Sequence, residues 1–189
     1  MPSAADALGV LRLLVAAVFP AALARARTGG WVPVLLFAVA ASSDFLDGIA
    51  ARHGNGPTAH GAVLDNLADI AFVLAGTGAA ASLGIVPVGV PVAIACAFAA
   101  YASASIAGRR TARSRVGHAA GVLNYALVGL IAGAAGLPGR AWRPVLSLAS
   151  TVVVAVNLAA LLGRVVPGLS PAREPRAGGT RARSPHSSA

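Results

Sequence analysis

The sequence predicts an all-α integral membrane protein of six transmembrane helices. Three observations carry this. Only 11% of the 189 residues are charged and 57% are hydrophobic, whereas a soluble domain carries about 25% charged residues. The mean hydropathy is +0.75. The apolar residues fall into runs of the length a spanning helix needs, about 20 residues, with Gly, Pro and Arg clusters between them.

The first run, 7–25, ends at "RTGG". It has neither a basic leader nor a clear small-residue cleavage site, so it reads as a retained helix. The second, 31–52, and third, 60–83, flank the turn "HGNGP". Gly84 to Pro87 separates the third from 86–107, and "GRRTARSR" separates that from 116–136. "GLPGRAWRP" precedes the last, 144–163. Residues 1–166 thus read as one six-helix membrane domain. Residues 167–189 are rich in Arg, Pro and Ser without apolar periodicity, and read as a disordered cytoplasmic tail.

All 15 basic residues are arginine, and the net charge is +9. They flank apolar runs instead of forming a stripe with aromatics, which argues for a membrane surface and against nucleic acid. With both termini in the cytoplasm, ten arginines fall on the cytoplasmic side (Arg52, Arg109, Arg110, Arg113, Arg115, Arg164, Arg173, Arg176, Arg181, Arg183) and four outside (Arg25, Arg27, Arg140, Arg143). The positive-inside rule favours that orientation. Cys96 lies in an apolar run and, as the single cysteine, excludes an internal disulfide.

Four of the six acidic residues, Asp44, Asp47, Asp65 and Asp69, fall within 26 residues. Asp44 and Asp47 are three apart and Asp65 and Asp69 four apart, so each pair shares a helix face. The turn between them folds one helix back on the other, and the pairs can converge near the cytoplasmic ends. A carboxylate at mid-membrane costs about 2.5–3.5 kcal/mol, and four together repel. Arg52 neutralises at most one. Two divalent cations balance all four, and hard oxygen ligands suit Mg²⁺ or Mn²⁺. Gly48, Ala51 and Gly61 leave room for a ligand beside the backbone. A two-metal site acting on a phosphate fits this pattern. A structural polar cluster and an ion-coupled transport site are the alternatives.

The full pattern is Asp44-x2-Asp47-Gly48-x2-Ala51-Arg52-x8-Gly61-x3-Asp65-x3-Asp69. It resembles the signature of the CDP-alcohol phosphotransferase family at all eight positions, and the six-helix layout is similar over most of the chain. The resemblance implies transfer of a phosphatidyl group from CDP-diacylglycerol to an alcohol, with release of CMP. It implies that Asp44, Asp47, Asp65 and Asp69 bind a pair of Mg²⁺ or Mn²⁺ ions, and that Asp69 is also the general base. Gly48, Ala51 and Gly61 would admit the CDP-lipid, Arg52 would meet its phosphates, and Thr58 would offer a hydroxyl contact. Relatives carry an Asn and a Ser or Thr ahead of an Arg in the first helix; here Asp6 and Gly9 take those places and Arg12 is retained. Relatives are commonly homodimers, and with the orientation above this chain is expected in the cell membrane with its active site facing the cytoplasm.

The acceptor stays open among serine, glycerol 3-phosphate, inositol phosphate and phosphatidylglycerol. Ile70 follows the last motif aspartate, in a stretch similar to phosphatidylserine synthases. Against that, Arg109, Arg110, Arg113 and Arg115 lie where relatives with phosphorylated acceptors bind the phosphate; the same arginines also suit anionic lipid. His118, Asn124 and Tyr125 either line the acceptor pocket or pack between helices. Gly129, Gly133 and Gly136 read as close-packing positions, in a helix seam or a dimer.

Overall fold

The computed structural model describes residues 4–26, 29–53, 59–106, 115–137 and 139–165; within them, the side chains of residues 4–6, 44–45, 47–64, 106 and 115 fall outside the description. The described residues form six α-helices: α1 Ala4–Arg25, α2 Val32–His53, α3 Ala59–Ser82, α4 Gly89–Ile106, α5 Arg115–Gly136 and α6 Trp142–Val165. All six predicted runs are helical, with ends shifted by up to three residues. The tail from 167 lies outside the described residues.

Local chemistry explains the ends. Pro33, Pro91 and Pro144 each stand in the first turn of their helices, where the missing N–H has no intrahelical acceptor to lose. α3 stops at Gly84, whose φ of +71° only glycine adopts without strain. Its N–H donates to the Ala81 carbonyl at 3.0 Å, and Ile85 N–H donates to Ala80 at 2.8 Å. This is a Schellman closure, which satisfies carbonyls that the helix end would leave bare.

Three helices are long and apolar enough to cross a membrane by length and composition: α1 over Ala7–Arg25, α5 over Val116–Gly136 and α6 over Trp142–Val165. The outside of the bundle is greasy, with Leu14, Leu35, Val88 and Leu148 all more than half exposed. Cys96 is exposed with them. Such an exterior suits lipid and would be an association hazard in water.

Helices meeting in lipid gain little from burying apolar groups, so close backbone approach and shape fit hold them together. A Cβ added at Gly129 would lie 2.7 Å from Phe37 Cζ, and one at Gly136 would lie 2.7 Å from Val34 Cγ2. These glycines let α5 press against α2, and Gly133 meets Trp142 of α6. The glycine seam is therefore within the chain. α1 lies against α2 and α3, while α6 lies against α4 and α5.

The core centres on Phe72 of α3, which is fully buried. Phe19 of α1 meets it edge-on at 5.4 Å, and Phe37 of α2 and Tyr125 of α5 lie at 6.4 and 5.4 Å. Four helices are thus pinned at one point. Phe72 is one turn from Asp69, so this rigid aromatic plug forms the floor beneath the acidic end of α3.

Candidate active site

α3 carries Asp65 and Asp69 on consecutive turns, facing α1. The buried stripe of α1 runs Arg12, Val15, Ala16, Phe19, Leu23, the i, i+3, i+4, i+7 spacing of one helix face. Phe19 seats against Phe72, and Arg12, two turns earlier, comes level with the aspartates. Arg12 is 0% exposed. Its Nη1 donates to Asp65 Oδ1 at 2.7 Å and to Asp69 Oδ1 at 2.6 Å.

The two sides of this cluster differ in access. The Asp65 and Asp69 side chains keep 38% and 36% of their surface open, against none for Arg12. The guanidinium enters from the protein interior, and the carboxylates look outward. They can therefore meet a ligand on their open side while being held from behind.

The other motif residues fall on the expected elements. Asp44, Asp47, Gly48, Ala51 and Arg52 lie in the C-terminal half of α2, and Gly61 in the first turn of α3. Their side chains lie outside the described residues, as do Thr58 and the side chains of Arg109, Arg110, Arg113 and Arg115. Among the described residues, no group of three or more His, Cys, Asp or Glu gathers; Asp65 and Asp69 are the part of the acidic constellation that is described.

Arg12 is the functional residue that sequence reasoning underused. In the sequence it stands only as a retained family position in the first helix. The available signal was the apolar stripe itself. An arginine on the buried face of a membrane-type helix must find an anion, and α3 offers two.

On α5, Asn124 and Tyr125 pack between helices. Asn124 and Asn157 of α6 exchange side-chain hydrogen bonds, at 2.7 Å from Asn157 Nδ2 and 3.4 Å from Asn124 Nδ2. Asn157 Nδ2 also donates to the Val153 carbonyl at 2.8 Å. Tyr125 stacks into the aromatic plug, 5.7 Å from Phe37. His118 is exposed. A cleft of about 370 Å³, lined by Leu23, Ile85, Ile131 and Trp142 among others, opens at the other end of the bundle. Leu23 stands about three turns along α1 from Arg12, so that cleft is separate from the acidic site.

A six-helix bundle with paired aspartates held by an internal arginine is the kind of site that handles a charged headgroup beside lipid. Family comparison makes the class specific: residues 3–163 match the CDP-alcohol phosphatidyltransferase family, and the chain belongs to it. A comparison with curated proteins gives no match. Family membership implies an enzyme that moves a phosphatidyl group from a CDP-alcohol to a second alcohol. The transporter reading of the aspartates gives way to that.

Proposed function

We propose that the protein makes a phospholipid at the cytoplasmic face of the cell membrane, by phosphatidyl transfer from CDP-diacylglycerol to an alcohol. The observation that carries this is the outward-facing pair Asp65 and Asp69, held on one helix face within the family's motif. In this reading all six helices of residues 1–166 span the membrane, and residues 167–189 form a cytoplasmic tail whose arginines rest near anionic headgroups.

The donor set fits a divalent metal. Asp65 Oδ1 and Asp69 Oδ1 both lie within 2.7 Å of a single nitrogen, so two hard anionic oxygens are already gathered in one place. Asp44, Asp47, Asp65 and Asp69 would hold two Mg²⁺ or Mn²⁺ ions, all through hard oxygen ligands. Bound there, the metals would spread the charge of the pyrophosphate oxygens.

The chain's own residues supply the rest. Gly48, Ala51 and Gly61 admit the cytidine nucleotide close to the backbone, with Thr58 beside it. Arg52 pairs with the donor phosphates, as a guanidinium suits phosphate. Asp69 takes the proton from the acceptor hydroxyl, which is a poor nucleophile at neutral pH. The acceptor oxygen forms a bond to the phosphorus that bears diacylglycerol. The bond from that phosphorus to the bridging oxygen breaks, and CMP leaves with the bond's electron pair. Arg109, Arg110, Arg113 and Arg115 hold the acceptor's phosphate where it has one. A homodimer is the expected assembly.

The test is incubation with CDP-diacylglycerol, Mn²⁺ and each of serine, glycerol 3-phosphate, inositol phosphate and phosphatidylglycerol, scoring CMP and lipid product. One acceptor should give both. Excess chelator should abolish CMP release, and added Mg²⁺ or Mn²⁺ should restore it. Full turnover in chelator would sink the two-metal reading, and no CMP with any acceptor would sink the choice of donor.

A further inference from the structure

Two like charges one turn apart on a helix repel, yet Asp65 Oδ1 and Asp69 Oδ1 point at the same place. They do so because one atom, Arg12 Nη1, lies 2.7 and 2.6 Å from them. That nitrogen engages the same two hard oxygens that a divalent ion such as Mg²⁺ would need as ligands. Arginine is the one cationic side chain that cannot shed its proton to relieve burial. A fully buried Arg12 must therefore keep an anion beside it.

We propose that Arg12 is a built-in cation for this aspartate pair, holding the site assembled when no metal is bound and competing with a divalent metal for the same two carboxylate oxygens. The proposal rests on reading Asp65 and Asp69 as metal ligands. It makes Arg12 a positioning residue that acts through the carboxylates. Metal enters from the open side of the pair, and the guanidinium yields one or both contacts as it does so. The metal is then held more weakly than four bare carboxylates would hold it, and the pair does not spring apart when the metal leaves.

The test uses the full chain purified in detergent, as wild type, Arg12→Met and Arg12→Lys. Mn²⁺ affinity is read from the electron paramagnetic resonance signal of free Mn²⁺, and thermal midpoints are read in chelator and in saturating Mn²⁺. Arg12→Met should bind Mn²⁺ about ten- to a hundredfold more tightly, the worth of a charge-assisted hydrogen bond no longer in competition. Its midpoint should fall below wild type in chelator and recover with Mn²⁺. Arg12→Lys keeps the charge but presents it as a compact ammonium on a flexible stem, so it should bind Mn²⁺ more tightly than wild type and less tightly than Arg12→Met. If Arg12→Met does not fold, Arg12→Lys decides alone. Mn²⁺ affinity that is unchanged or weaker in the variants that fold overturns the competition while leaving the metal site standing. A wild-type chain that binds no Mn²⁺ overturns the metal reading itself, and the competition with it.

Discussion

Among the described residues, two polar seams join helices of the bundle, and they are built on opposite plans. Between α1 and α3, a fully buried arginine meets two carboxylates that keep 36–38% of their side-chain surface open. Between α5 and α6, two neutral amides, Asn124 at 7% and Asn157 at 2% exposure, close on each other and on the Val153 carbonyl. The first seam has charge and access. The second consumes its own hydrogen-bonding capacity. Buried polarity alone therefore does not separate a candidate site from a packing contact in this protein; exposure of the charged groups does. The amide pair fixes the register of two helices that apolar packing in lipid would leave free to slide.

The sharpest way to probe this difference is a substitution that changes one proton-accepting oxygen on the open seam. Asp69→Asn keeps an oxygen that can face a metal but cannot take the hydroxyl proton. Turnover should drop by about 10²–10⁴, the usual worth of a general base, while CDP-diacylglycerol binding in Mn²⁺ survives. Asp44→Asn, a change of metal ligand alone, should weaken donor binding as well. Turnover of Asp69→Asn within tenfold of wild type would remove Asp69 as base. Loss of donor binding as complete as in Asp44→Asn would make it a metal ligand only.

A further set of charges, the arginines that fall between α4 and α5 in the sequence, sharpens the comparison. With a phosphorylated acceptor, single Ala substitutions at Arg109, Arg110, Arg113 or Arg115 should raise the acceptor KM about ten- to a hundredfold, one charge-assisted hydrogen bond, with the donor KM nearly unchanged. Changes below about twofold at all four would assign the cluster to anionic lipid, whose attraction is worth about 1 kcal/mol per arginine.

The smallest effect belongs to the closed seam. Asn157→Leu strands Asn124 and should cost about 1–2 kcal/mol, in the range of interhelical hydrogen bonds in membranes, measured as a lowered unfolding midpoint in detergent. Turnover per folded molecule should stay within about twofold. The double change Asn124→Leu/Asn157→Leu should recover most of the loss, since removing both partners leaves no orphaned amide. A large fall in acceptor affinity in Asn157→Leu would break the comparison and return Asn124 to the acceptor pocket.

Much of this was legible in the sequence because it is local. A helix in an apolar setting satisfies its own backbone, so runs of about 20 apolar residues between "RTGG", "HGNGP" and "GRRTARSR" define six helices without knowledge of their neighbours. Gly84 announces the end of α3 because the closure needs a positive φ. The spacing of Asp65 and Asp69 places them on one face by helical geometry alone. The pairing of Asn124 with Asn157 was not legible, since 33 residues separate them and nothing in either helix names the other.

The sequence by itself determined the six helices, the family and the identity of the acidic motif, all carried by residues within a few turns of one another. Tertiary structure alone brought Arg12 to Asp65 and Asp69. Sequence proximity pointed to Arg52, within the motif; packing adds Arg12, 53 residues from Asp65. The physical reason is that counter-charge is chosen by distance in space. The Phe19–Phe72 contact sets α1 against α3 at the height where Arg12 meets both carboxylates.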